Sequence, residues 1–122
     1  MGFVYVNVVV HGMKGSKVVE MLVDMGSTYI VLSPKTIEEL KLTETPYTVE
    51  LTSADKRRVK TRLYVAEVEV RGRKGPALIA ELDVPTPLLG VYALETLGFK
   101  INPATGELEE MSPEGGYLLS IR

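Results

Sequence analysis

Apolar and polar positions alternate along most of this chain, and the period is mostly two. Val4, Val6, Val8 and Val10 fall on one face of a strand over residues 3–10. His11-Gly12-Met13-Lys14-Gly15-Ser16 interrupts the run, and its two glycines permit positive φ, which predicts a turn. Residues 17–23 read as the return strand, 24–28 as a loop and 29–32 as a short strand. Ser33-Pro34 has the form of an N-cap followed by Pro at the first helical position, opening a short helix through residue 40.

The same alternation resumes over residues 47–53 and 59–71, joined by a hairpin tip at Ala54-Asp55-Lys56-Arg57. Ala66, Val68 and Val70 alternate with Glu67, Glu69 and Arg71, the pattern of a half-buried strand. A turn at 72–75 and a strand at 76–82 follow. Val84-Pro85-Thr86-Pro87 predicts a rigid extended link, because each Pro fixes its own φ and restricts its neighbour. Residues 91–97 read as a helix stopped by Gly98. Residues 99–102 and 107–111 flank Pro103-Ala104-Thr105-Gly106, a hairpin signal. A last strand is predicted at 117–121, after Gly115-Gly116. The sum is one mainly-β domain over residues 1–122 with one or two short helices.

Composition narrows the chemistry. The 122 residues suffice for one core, and 45% hydrophobic with 25% charged residues is ordinary for a globular protein. The net charge of −2 sets up no field favouring nucleic acid or an anionic membrane. No apolar run has transmembrane length. With no cysteine, disulfides, thiol catalysis and Cys-based zinc sites are excluded. The one histidine, His11, cannot build a multi-His metal site, and its turn predicts an exposed loop position. Met1-Gly2 is not a myristoylation signal, since position 6 is Val6. The first residues lack the layout of a secretion signal, so the expected location is the cytoplasm. Gln is absent and Asn scarce, a bias that points to a thermophilic source.

The candidate chemistry lies in Asp24-Met25-Gly26-Ser27-Thr28. An apolar stretch delivers one acid into a Gly-containing turn, and Ile30, Val31 and Leu32 follow at once. Alone, such a turn is a common self-bonded loop. In order along the chain, however, stand a terminal hairpin, this loop, the hairpin tip at Ser53 to Arg57, then Leu88-Leu89-Gly90 and the helix after it. That series resembles the retropepsin-like family of single-domain, retroviral-type aspartic proteases. The resemblance implies a closed β-barrel with a flap hairpin at Ser53, Ala54, Asp55, Lys56 and Arg57. It implies a homodimer whose catalytic pair is Asp24 from each copy, acting on an extended peptide or protein without cofactor or metal. Met25, Gly26, Ser27 and Thr28 would support the pair. Ser27 would hydrogen-bond the outer carboxylate oxygen, and Gly26 would let substrate backbone approach. Leu88, Leu89 and Gly90 would form the family's apolar-apolar-Gly element.

Two positions depart from that pattern. Where the family has Thr or Ser after the acid, this chain has Met25, which lacks the hydroxyl that bonds across the dimer. The flap tip has no Gly, and its basic run of Lys56, Arg57 and Arg58 reads as a solvated hairpin end. Three readings follow: an aspartic endopeptidase, an inactive or weakened peptide-binding module of the same fold, and a β-scaffold with no site.

Overall fold

The computed structural model describes residues 3–53 and 55–111. β1 (Tyr5–Gly12) and β2 (Gly15–Val23) form the first hairpin, in register Val6↔Met21 and Val8↔Val19. β1 ends two residues later and β2 starts two residues earlier than the sequence predicts, leaving only Met13 and Lys14 in the turn. Tertiary docking explains the extension. The Lys14 N–H donates to the Leu40 carbonyl at 3.1 Å and the Met13 N–H to the Lys41 carbonyl at 3.4 Å. Gly12 lies so close to the Leu40 carbonyl that no Cβ could fit there. His11 is consequently a half-buried strand residue, not the exposed loop residue expected. Its Nδ1 lies 2.6 Å from the Ser16 hydroxyl and its Nε2 3.8 Å from Glu69.

β3 (Ile30–Leu32) is buried throughout. α1 (Pro34–Leu40) begins where the sequence places it: the Ser33 hydroxyl accepts the Thr36 N–H, and Lys41 closes the helix at φ 54°. β4 (Thr43–Thr52) pairs with β5 (Arg58–Val70) as a long hairpin. β4 starts four residues before the predicted strand because a bulge between Glu44 and Thr48 accommodates Pro46. Pro is tolerated there because β4 has β5 as its sole partner, so a missing N–H costs no ladder bond.

β6 (Arg73–Glu81) follows a two-residue turn of Arg71 (φ 50°) and Gly72 (φ 84°). Two successive positive φ angles match the twist of the flanking strands. The turn therefore begins one residue before the predicted 72–75 and ends at Gly72, and Gly75 lies inside the strand. A Cβ at Gly75 would sit 3.0 Å from Leu97 Cδ2, so the glycine lets the second helix press onto β6. β7 (Leu88–Leu89), α2 (Val91–Leu97) with Gly98 at φ 82° as its C-cap, β8 (Phe99–Ile101) and β9 (Leu108–Glu110) complete the described chain. The strand predicted at 117–121 lies outside the described residues.

The main sheet runs β1-β2-β7-β3-β6-β5-β4, and β1 also pairs with β5 from Val9↔Glu69 to His11↔Glu67. Six strands thus close a ring, while the first half of β5 leaves it to carry β4. The all-β expectation holds. Val8, Val10, Met21, Ile30, Leu32, Val68 and Ile79 fill the ring, and Leu94, Leu97 and Phe99 seal it, all essentially without exposure. No polar or charged residue is buried among the described ones. Each large side chain in this core contributes about 1.5–3 kcal/mol by leaving water. No described helix is long and apolar enough to cross a membrane.

Candidate active site

Asp24 is the first residue beyond β2, and hydrogen bonds fix that strand end on two sides. β2 runs parallel to β7, with Leu22 opposite Leu88 and Val23 opposite Leu89. The Asp24 N–H donates to the Leu89 carbonyl at 3.0 Å, and the Val23 N–H to the Val4 carbonyl at 2.8 Å. Past this point the chain turns: the Ser27 N–H donates to the Asp24 carbonyl at 3.0 Å. The Gly26 N–H donates to Asp24 Oδ1 at 2.9 Å. The carboxylate is therefore half-buried and oriented, with one oxygen engaged by its own loop.

The loop is held from beneath by the start of α2. The Val91 N–H donates to the Ser27 carbonyl at 2.9 Å and the Tyr92 N–H to the Thr28 carbonyl at 3.2 Å. Such an approach needs glycine at position 90. A Cβ there would stand 2.6 Å from the Ser27 carbonyl oxygen and 2.8 Å from the Thr28 carbonyl carbon, and would strike the Tyr29 carbonyl. The physical content of Leu88-Leu89-Gly90 follows. Leu88 and Leu89 pair with the strand that delivers the acid, Leu89 anchors in the core, and Gly90 admits the loop. Ser27 differs from the role its resemblance implies: its hydroxyl donates to the Tyr29 carbonyl at 2.8 Å and stiffens the loop exit, leaving the carboxylate to Gly26.

A cleft of about 260 Å³ opens over Asp24. Gly26 to Tyr29 form its floor, Val31, Leu82 and Leu88 an apolar wall, and Glu50 to Thr52 of β4 its roof. The structure thus brings Asp24, Gly26, Ser27, Thr28 and Leu88 to one cavity with the β4–β5 hairpin above it. The hairpin tip does not join them. Ser53, Asp55 and Arg57 border a separate open depression of about 710 Å³ with Arg58, Val59 and Lys60. Lys56 lies at the same tip, and Ala54 falls outside the described residues. The roof residues Glu50, Leu51 and Thr52, the floor residue Tyr29 and the wall residues Val31 and Leu82 escape sequence reasoning. Leu51 had a usable signal, since it shares a strand face with Val49 and so points away from the solvated side.

Turn chemistry makes the tip. The Ser53 N–H donates to the Arg57 carbonyl at 2.9 Å, the Lys56 N–H to the Ser53 carbonyl at 2.9 Å, and the Ser53 hydroxyl to Asp55. That hydroxyl, with the Arg57 N–H, holds the Asp55 carboxyl below its ordinary value. The positive φ that a glycine would take is adopted by Lys56, at 68°. The basic run is largely balanced: Arg58 lies 3.6 Å from Glu50, Arg62 3.9 Å from Glu44 and Arg57 4.0 Å from Asp55. These pairs are exposed and individually weak.

Met25 points away from the core and does not line the cleft; it is 59% exposed. It is one of seven exposed large apolar side chains among the described residues. Three more, Phe3, Tyr5 and Tyr92, belong to the segments that flank the Asp24 loop. Tyr5 pairs with Leu22, Phe3 precedes the Val4 that bonds Val23, and Tyr92 bonds Thr28. The Asp24 loop and its neighbouring segments thus carry four of the exposed apolar side chains.

The family model described as aspartyl protease matches residues 6–93. That span runs from β1 into α2 and contains the Asp24 loop, the hairpin over the cleft and Leu88-Leu89-Gly90. No curated protein matches the chain.

Proposed function

The chain belongs to the aspartyl protease family, and we propose that it is an aspartic endopeptidase assembled from two copies, with Asp24 of each copy forming the catalytic pair. The observation that carries this reading is the half-buried, oriented Asp24 at the floor of a cleft roofed by a hairpin. One copy brings one such loop, and the apolar surface around it fits burial against a second copy. Glu50 reaches the same cleft, but it lies in the roof beside Arg58.

The chemistry follows from bringing two carboxyls together. At about 3 Å they cannot both ionise and so share one proton. The ionised member takes a proton from a water as its oxygen attacks the peptide carbonyl carbon. The protonated member donates to the carbonyl oxygen. Collapse of the tetrahedral species breaks the C–N bond and returns a proton to the departing amine. An extended peptide would lie between the Gly26–Tyr29 floor and the β4 roof, its side chains against Val31, Leu82 and Leu88.

Incubation with a diverse peptide library, followed by mass spectrometry, tests the reading. The native chain cleaves and Asp24→Asn loses at least about a thousandfold in rate, while its sedimentation is unchanged. Met25 in place of a hydroxyl residue supports a second reading, a peptide-binding module without turnover. Retention of peptides with no cleavage by the native chain selects that reading.

A further inference from the structure

We propose that the tip of the β4–β5 hairpin is a docking site for acidic polypeptide, and that the peptides cut in the neighbouring cleft carry an acidic run beside the scissile segment. The second half rests on the peptidase reading above; the first does not. Residues 53–60 hold four cations, Lys56, Arg57, Arg58 and Lys60, against one carboxylate, Asp55, in a chain whose net charge is −2. Arg57, Arg58 and Lys60 line the open depression of about 710 Å³, with Asp55 its one acid. Asp55 is committed to the turn, where it accepts the Ser53 hydroxyl and the Arg57 N–H. Glu50 stands opposite Lys60 in the ladder and 3.6 Å from Arg58, so one carboxylate is shared between two cations. Arg57 is 79% exposed and Arg58 77%, and their contacts of 4.0 and 3.6 Å are longer than a direct charged hydrogen bond of about 2.7–2.9 Å. These cations are therefore open to an anion that pairs with them better.

The occupant follows from where the depression lies. Thr52 roofs the Asp24 cleft, and the next residue, Ser53, borders the depression. An extended chain advances about 3.3 Å per residue, so a polypeptide held in the cleft needs few further residues to reach Arg57 and Arg58. Several carboxylates along one segment can meet the three cations together, which no single exposed pair does. The cleft itself has the opposite sign, since Asp24 and Glu50 are its only charged lining residues. Acidic side chains are thus disfavoured in the cleft and favoured at the tip, and this difference fixes how a substrate lies. Nucleic acid fits the charge but not the setting. Residues 53–60 contain no aromatic side chain on which a base could stack, and the rest of the chain is net negative. Contacts at the tip lie outside the cleft and hold substrate and transition state alike, so they lower KM and leave kcat as it is.

Two measurements on the intact chain test this, at a pH of about 6, where glutamates are ionised. A peptide that the chain cleaves is extended at either end by glutamates, lysines or serines, and kcat and KM are compared at about 0.05 and 0.5 M salt. At low salt, glutamates at one end should lower KM about tenfold relative to serines with kcat unchanged, lysines should raise it, and high salt should erase most of both effects. Arg58→Glu combined with Lys60→Glu should reverse the order of the glutamate and lysine peptides. Each variant is judged by the ratio of its own substrates, so a general loss of activity does not enter. If the doubly reversed chain is too weak to assay, Lys60→Gln alone should cut the glutamate advantage about threefold. In parallel, a fluorescein-labelled oligoglutamate and an oligothymidylate of equal charge are titrated with the native chain and followed by anisotropy. The oligoglutamate should bind more tightly, and the double variant should lose it. Cleavage with a KM indifferent to glutamate, or an order of substrates that the variants leave unchanged, overturns the proposal and leaves the peptidase reading intact. Tighter binding of the oligothymidylate overturns it in favour of nucleic acid. Oligoglutamate binding that needs Arg58 and Lys60, in a chain that cleaves no peptide, supports the docking site and overturns the peptidase reading. Neither binding nor cleavage overturns both.

Discussion

Gly90 and Met25 bound the Asp24 loop from beneath and from its outer side, and substitution should affect them differently. At Gly90 a methyl group has no room, because the Ser27, Thr28 and Tyr29 backbone occupies its place. Gly90→Ala must push the loop off α2, and overpacking of this kind costs about 1–3 kcal/mol. Urea denaturation should show that loss, and turnover should fall with it because Asp24 moves. At Met25 two effects compete. In the two-copy assembly proposed above, Met25→Thr restores a hydroxyl worth about 1 kcal/mol as a net hydrogen bond, but removes a large apolar side chain, 59% exposed in the single chain, whose burial would contribute about 1.5–3 kcal/mol. Burial wins, so the dimer should weaken by about tenfold or more in sedimentation equilibrium, and a tighter dimer would show that the hydroxyl does reach the opposite loop. Residue-scale legibility was uneven for a physical reason. Asp24 and Gly90 are constrained by backbone approach, which demands particular residue types at particular spacing. The partner of the Ser27 hydroxyl, Tyr29 rather than Asp24, depends on how the loop bends, and no residue type reports that.

At the scale of elements, the β4–β5 hairpin supplies the side of the site that faces the Asp24 loop. Its roof over the cleft is Glu50 to Thr52, so a bound statine-type peptide should slow amide exchange there more than at the tip. The tip has its own weak point in Lys56, whose left-handed φ of 68° costs about 1–2 kcal/mol for a residue with a Cβ. Lys56→Gly relieves that strain but frees the unfolded chain, so a net gain of about 0.5 kcal/mol is expected, read as slower exchange of the Lys56 N–H. Acid acts oppositely. The Asp55 carboxyl is held low chiefly by the Ser53 hydroxyl. Its contribution is therefore complete above the unfolded carboxyl value and is lost as pH falls through the folded one, so the tip should loosen in acid. Hairpins were legible because alternation survives tertiary context. The first turn was drawn too wide at 11–16 and the second one residue late at 72–75, because Gly12 and Gly75 serve close packing, not turning.

Over the whole molecule, two features that no local pattern announces join distant parts of the chain. One is the short β1–β5 seam at Val9 to His11. The other is Arg73, whose guanidinium donates to the Leu97 carbonyl at 3.0 Å and the Gly98 carbonyl at 2.9 Å, meets Glu110 at 3.0 Å and stacks 5.1 Å from the Phe99 ring centre. Both join residues far apart in sequence. Arg73→Ala removes the donors to the Leu97 and Gly98 carbonyls, leaving α2 only its Gly98 backbone cap, and should cost about 2 kcal/mol in denaturation. The assembled state makes a stronger demand. If each copy supplies one carboxyl, the rate depends on the concentration of pairs. Well below the dissociation constant, the pair concentration goes as the square of the chain concentration, so diluting tenfold should cut the rate about a hundredfold. Well above it, the rate should become linear. A peptide-like inhibitor that binds only the pair should pull the quadratic regime to lower concentrations, because it stabilises the form it binds. At saturating chain the rate should trace a bell in pH with its optimum on the acidic side, since only the singly protonated pair is competent. A rate linear in chain concentration throughout, with a bell still present, would place both carboxyls in one copy. Glu50, the other acid lining the cleft, would then be the residue to replace.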